Sequence, residues 1–171
     1  VKRILVGDVL ALALDQDHHC VAQVIGTYGR GSYFIAVYDR PPVLGPASAA
    51  DLTAVKDAEM ALLALTLDAM IYHGAWVVVG RSEVSSRAWL PGYLLDRGSP
   101  PESVRQVIVD HSGKRERPAT DRDLVRVKYR TTVAPIRLDK AAKAFFGRMP
   151  WDVSYDGLLP ATYIPESDLF R

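Results

Sequence analysis

Cysteine is nearly missing from this chain of 171 residues. Cys20 stands alone, so no internal disulfide can form and a small disulfide-stapled secreted fold is excluded. Long apolar runs are missing too, and no stretch approaches the ~20 residues that a membrane-spanning helix needs. After Val1-Lys2-Arg3 only Ile4 to Val6 precede Gly7 and Asp8, too few for the core of a signal peptide. These features read as a cytoplasmic protein with no membrane partner. An excess of either charge is also lacking. Twenty-one Lys and Arg oppose twenty Asp and Glu, which gives no global attraction for nucleic acid or an acidic membrane. What is present is globular material, 49% hydrophobic and 24% charged, enough for a single domain over residues 1–171 with a Pro-, Gly- and Ala-rich connector at 40–50.

The charge is unevenly distributed along the chain. Residues 112–148 hold eleven Lys or Arg against four Asp or Glu, while the rest of the chain holds ten against sixteen. Lys114, Arg115, Arg117, Arg122, Arg126, Lys128 and Arg130 offer phosphate contacts to a nucleic-acid-binding barrel, which is one alternative reading. A solvated hairpin and helix surface accounts for the same residues, and folding can mix the two blocks.

Hydrophobic patterning points to an α+β domain. Residues 9–14, 20–25 and 33–38 are apolar or aromatic runs separated by turn residues, the pattern of an antiparallel meander. Such a meander commonly curls, so the expected architecture is a strongly curved sheet or partial barrel. Gly29 and Gly31 bracket one turn and admit positive φ. Ala61 to Leu67 is too continuously apolar for periodicity to decide between a buried strand and the end of a helix, with the strand slightly favoured. Ala75 to Val79 is the strongest strand signal, and its unbroken apolar character predicts a central strand covered on both faces, with Trp76 in the core. Val104 to Asp110 predicts another strand, turning at His111 to Lys114. Near the end, Leu138, Ala141, Ala142 and Phe145 share one helical face, with Asp139 and Lys143 four apart, Gly147 as terminator and Pro150 beyond. This helix is expected to pack on the sheet, and the aromatic tail to dock on the body.

Residues suited to bond-making chemistry are scattered. His18, His19 and Cys20 are adjacent, and neighbours on a strand point to opposite faces, so they do not converge as metal ligands. His73 or His111 could complete a set through the fold, but no spacing predicts it. No metal, cofactor or catalytic residue is therefore assigned. A hydrolase with a dispersed site, built on Cys20 and a histidine or on paired carboxylates, remains the third reading; burial of Cys20 would count against it.

A resemblance favours protein binding. Gly7-Asp8-Val9-Leu10-Ala11-Leu12, Ala22-Gln23-Val24-Ile25-Gly26, Tyr33-Phe34-Ile35-Ala36-Val37-Tyr38-Asp39 and the later Gly74-Ala75-Trp76-Val77-Val78-Val79-Gly80 resemble the immunity protein 26 family, over roughly residues 4–130. Members accompany polymorphic toxins of bacteria and are expected to protect the producing cell by binding the cognate toxin. The resemblance implies a stoichiometric inhibitor that is not an enzyme, with a protein toxin such as a nuclease as partner. A basic toxin would be steered by acids in turns, so Asp15, Asp17, Asp39, Asp51 and Asp57 are candidate contacts. Tyr28 and Tyr33 beside the glycine turn, and Trp89 and Tyr93 beside Pro91-Gly92, are candidate aromatic anchors.

Overall fold

A computed structural model describes residues 3–171. The chain runs through β1 (Asp8–Ala13), β2 (His18–Tyr28), β3 (Ser32–Tyr38), β4 (Val43–Leu44), α1 (Ala50–Ala54), β5 (Met60–Leu67), α2 (Ala69–Tyr72) and β6 (Trp76–Arg81). Then come β7 (Pro91–Arg97), β8 (Arg105–Val109), β9 (Glu116–Pro118), α3 (Asp121–Arg126), β10 (Thr132–Val133) and α4 (Pro135–Phe145). Two 3₁₀ turns, Val153–Leu158 and Pro160–Thr162, precede β11 (Ile164–Pro165) and α5 (Glu166–Leu169). Contacts divide the chain into two compact units, one holding the residues up to Ala88 with Thr132–Thr162, the other Trp89–Thr131 with Tyr163–Arg171.

The first unit is built on the meander. Its seven-stranded sheet has the order β10-β5-β3-β2-β1-β6, with β4 paired to the start of β2. Among the described residues, the β10–β5 pair is the one parallel pair of this sheet. The α+β, mainly antiparallel character is as expected. The sheet is nevertheless open, with β10 and β6 at its ends, and is neither closed nor strongly curled, so the expected half-barrel gives way to an open sheet. The β2–β3 hairpin turns through Gly29 and Gly31 at φ 59° and 76°, the left-handed values a β-carbon resists. Leu10, Leu12, Val24, Ile35, Val37 and Trp76 project from the sheet into one core cluster, which Leu138, Ala141 and Ala142 of α4 complete. Pro135 starts that helix in its first turn, and Gly147 follows it at φ 76°.

One strand differs from its reading. β6 is an edge strand, paired only with β1, and Val77 is 49% exposed although Trp76 is buried. An apolar run has the same pattern whether or not a second neighbour exists, so periodicity cannot distinguish edge from centre. Among the described residues no strand pairs with the outer side of β6.

The second unit carries a four-stranded sheet of order β11-β7-β8-β9. β8 turns into β9 through residues 110–115, where the Asp110 main chain accepts the Gly113 amide, at the hairpin that the sequence predicts. Helix α3 begins with a reciprocal capping box between Thr120 and Asp123. The last residues return so that Ile164 and Pro165 pair with Gly92 and Pro91, and Leu169 joins Leu94, Ile108 and Val127 in this unit's own small core. Among the described residues no helix is long and apolar enough to cross a membrane.

Candidate functional site

The end of α2 and the start of β6 shape an open groove of about 720 Å³ in the first unit. Helix α2 is a single turn. Its last two amides, those of Ile71 and Tyr72, donate to the Asp68 carbonyl at 2.9 and 2.8 Å, and it stops before Gly74 at φ 75°. A turn this short leaves Ile71 half-buried and Tyr72 67% exposed along the groove, facing Val77 and Val78 of β6. Trp76 and Ile4 add further apolar lining.

Three polar side chains also line this apolar groove: Arg3, Tyr33 and Asp68. None of them makes a side-chain hydrogen bond or ion pair with a described residue; Asp68 does not even cap its own helix. They do feel one another. Desolvation pushes the Tyr33 hydroxyl above its ordinary pKa, the Asp68 charge pushes it further and Arg3 opposes both. Donors and acceptors of opposite sign thus stand at one concave surface without partners, the combination expected of a binding site.

The residues proposed from sequence fall in several places. The strand register puts Asp15 and Asp17, in the β1–β2 turn, at one end of the first sheet with Asp39 after β3 and Asp57 before β5, whereas Tyr28 and Tyr33 lie at the other end. Asp15, Asp17, Asp39 and Asp57 are exposed. Asp15 is largely engaged, however: it accepts from the Asp17 and His18 amides, from the His18 ring and from Arg148 at 3.0 Å. Asp57 accepts from the Ser86 hydroxyl. Asp51 is 1% exposed; it faces the His19 ring at 3.1 Å and takes the Ser48 amide at 2.8 Å. It holds a loop together and does not stand on the surface. In the second unit Tyr93 is buried under the Arg130 guanidinium and Trp89 is half-buried. Of the proposed residues, only Tyr33 reaches the groove. Asp68 lay in view as the acid opening a glycine-terminated turn, but exposure of Tyr72 and Val77 follows from the edge position of β6, which carries no local signal.

The groups considered for chemistry or nucleic acid also have internal roles. Cys20 is 1% exposed, and burial pushes its thiol up to about 12, which removes the thiolate that a nucleophile needs. Among the described residues His18, His19 and Cys20 do not converge, because His18 turns to Asp15 and His19 to Asp51. In the basic stretch, Arg117 forks onto Asp123 and the Leu169 carbonyl, and Arg115 lies over Phe170. Lys128 lies over Tyr163 at 3.4 Å, and Arg130 reaches the Asp110 carbonyl. Four of the seven cations considered for phosphate therefore serve this unit's own packing.

No family model matches the chain, and neither a curated protein nor a solved structure matches it.

Proposed function

We propose that this chain is an immunity protein that neutralises a bacterial protein toxin by stoichiometric binding, and that the toxin docks on the groove beside β6. The observation that carries the reading is the set of unengaged side chains, Arg3, Tyr33 and Asp68, on a groove whose apolar lining includes exposed Tyr72 and Val77. A polypeptide satisfies such a surface well. It brings apolar side chains for the groove and charges of both signs for Arg3 and Asp68. It also brings a main chain able to pair with the free edge of β6, as in recognition by strand addition. An exposed, β-branched edge strand is otherwise an aggregation hazard, and a partner that covers it removes the hazard. The resemblance of the β1, β2, β3 and β6 sequences to the immunity protein 26 family supports a toxin as that partner.

The test uses the protein product of the gene neighbouring the one for this chain. Calorimetry is expected to give a one-to-one complex, and co-expression to protect the host. Tyr72→Asp and Val77→Lys should each weaken the complex about tenfold or more, the effect of truncating an interface anchor worth about 1.4 kcal/mol or more. Both positions are exposed, so the unfolding midpoint should stay unchanged. Undiminished binding by both variants would move the interface elsewhere, and a toxin that neither binds nor is neutralised would remove the immunity reading.

A further inference from the structure

The second unit brings together three side chains of ligand type from distant parts of its sequence. Asp110 and His111 stand at the β8–β9 turn, and Glu166 opens α5; one ligand atom from each lies within 4.8 Å of the others. Both carboxylates are held by their neighbours. Asp110 Oδ1 accepts from the Ser112 hydroxyl at 2.9 Å and from the Lys114 amide at 3.0 Å. Glu166 Oε2 accepts from the His111 amide at 2.9 Å and lies 2.8 Å from His111 Nδ1. Glu166 Oε1 makes no hydrogen bond with any described residue, and the Asp110 carboxylate is further favoured in its charged form by the Arg115 main-chain amide. Arg130 holds the turn from its main-chain side, with its guanidinium 3.3 Å from the Asp110 carbonyl and 3.4 Å from that of His111. Asp110 is 6% exposed, and His111 and Glu166 are each 23% exposed at the side chain, so the group is sheltered yet open to an ion.

We infer that Asp110, His111 and Glu166 form a binding site for a divalent transition-metal ion, Zn²⁺ above all. One imidazole with two carboxylates is a mixed nitrogen and oxygen set, which Zn²⁺ accepts readily. Mg²⁺ and Ca²⁺ favour all-oxygen shells of six or more ligands. Three protein ligands leave a coordination position for water or for a side chain of another molecule. The Ser112 hydroxyl and Lys114 amide on Asp110 Oδ1, and the His111 main-chain amide on Glu166 Oε2, orient the carboxylates from outside, the role that outer-shell groups play at metal sites. Bound there, the ion ties the β8–β9 turn to the final helix of the same unit. The site is independent of the toxin reading, since it uses none of the groove residues.

The full chain, stripped with chelator, is titrated with ZnCl₂ and separately with MgCl₂ by calorimetry. One saturable Zn²⁺ per chain is expected, with no measurable Mg²⁺ binding. His111→Ala and Glu166→Gln should each weaken Zn²⁺ at least tenfold, while His18→Ala, in the other unit, should bind as the parent does. Metal-free circular dichroism checks that the variants fold, and His111→Ala alone decides the matter if Glu166→Gln does not. Absence of saturable Zn²⁺ binding would overturn the proposal. So would equal affinity in His111→Ala, or a loss confined to His18→Ala.

Discussion

Gln23 shows how much one residue can do without announcing itself. In the sequence it is a polar interruption in an apolar strand. In the fold it is fully buried: its amide nitrogen lies 3.0 to 3.3 Å from the carbonyls of Gly7, Ser82 and Glu83, and its oxygen accepts from Tyr38 Oη at 2.7 Å and the Ser85 amide at 3.2 Å. The segment after β6 is thereby fastened to the sheet. Gln23→Leu keeps the volume but strands the Tyr38 hydroxyl and the Ser85 amide in the core, and at about 1–3 kcal/mol for each orphaned group it should cost about 3 kcal/mol or more. Tyr38→Phe leaves the Gln23 oxygen with the Ser85 amide and should cost only about 1 kcal/mol. Urea unfolding of the two variants checks the order; an equal cost would mean that Tyr38, not Gln23, organises the network. Asp139 was half legible. Its spacing from Lys143 predicts their ion pair, found at 2.7 Å, but as a surface pair. The carboxylate is instead 5% exposed and accepts from Trp76 Nε1 at 2.9 Å, a partner 63 residues away that helical spacing cannot supply.

At the scale of elements, local pattern served where an element is defined by its own residues. The β1–β3 meander, the turn after β8 and helix α4 are set by period and by glycine or proline and were legible, whereas the unbroken apolar run of β5 left strand and helix end both open. What failed depends on neighbours, as with β6 at the sheet edge. The closing strap of the second unit is another such case, since two residues of β11 carry no periodicity. Its position rests on Gly92, where an added β-carbon would lie 2.5 Å from Leu169 Cδ1 and 3.1 Å from the Val109 carbonyl oxygen. Gly92→Ala should therefore push Leu169 out of its core and cost about 1–3 kcal/mol, the usual effect of overpacking. Hydrogen exchange should accelerate at the amides of Ile164 and of residues 166–170. Adding Leu169→Ala relieves half of the collision, so the double variant should lose less than the two single variants combined. Strict additivity would show that the strap does not rest on Gly92.

At the scale of the whole molecule, the charge asymmetry read along the chain largely disappears, because the basic stretch at 112–148 is shared between the two units. The first unit holds eleven basic and twelve acidic residues and the second holds ten and eight. Net charge therefore says little about stability, and specific shifts decide its pH dependence. The Arg117 guanidinium holds Asp123 well below the usual carboxylate range, the Asp17 amide does the same for Asp15, and the Ser154 side chain and amide lower Asp152. A depressed carboxyl favours the folded state fully above the unfolded range near pH 4 and ceases to do so as pH falls through its own lower value. Stability should therefore decline below about pH 4, and Asp123→Asn should flatten that acid limb. On the alkaline side the signs conflict. Burial lowers Lys128 to about 8, so unfolding takes up a proton between about pH 8 and 10.5, and stability gains with pH there. Burial raises Cys20 to about 12 and raises Tyr38, Tyr93 and Tyr163 above their usual range near 10. Those four favour the folded state below their unfolded values and withdraw that support as pH rises. Near pH 9 to 10 the lysine and the thiol offset each other at up to about 1.4 kcal/mol per pH unit each. Above pH 10 three tyrosines join the thiol while the lysine's contribution levels off, so the melting temperature should hold to about pH 9.5 and then fall steeply. Calorimetric melting from pH 3 to 11 measures both limbs, and a melting temperature that stays level through pH 11 would mean that the tyrosine hydroxyls ionise in the folded protein as readily as in water.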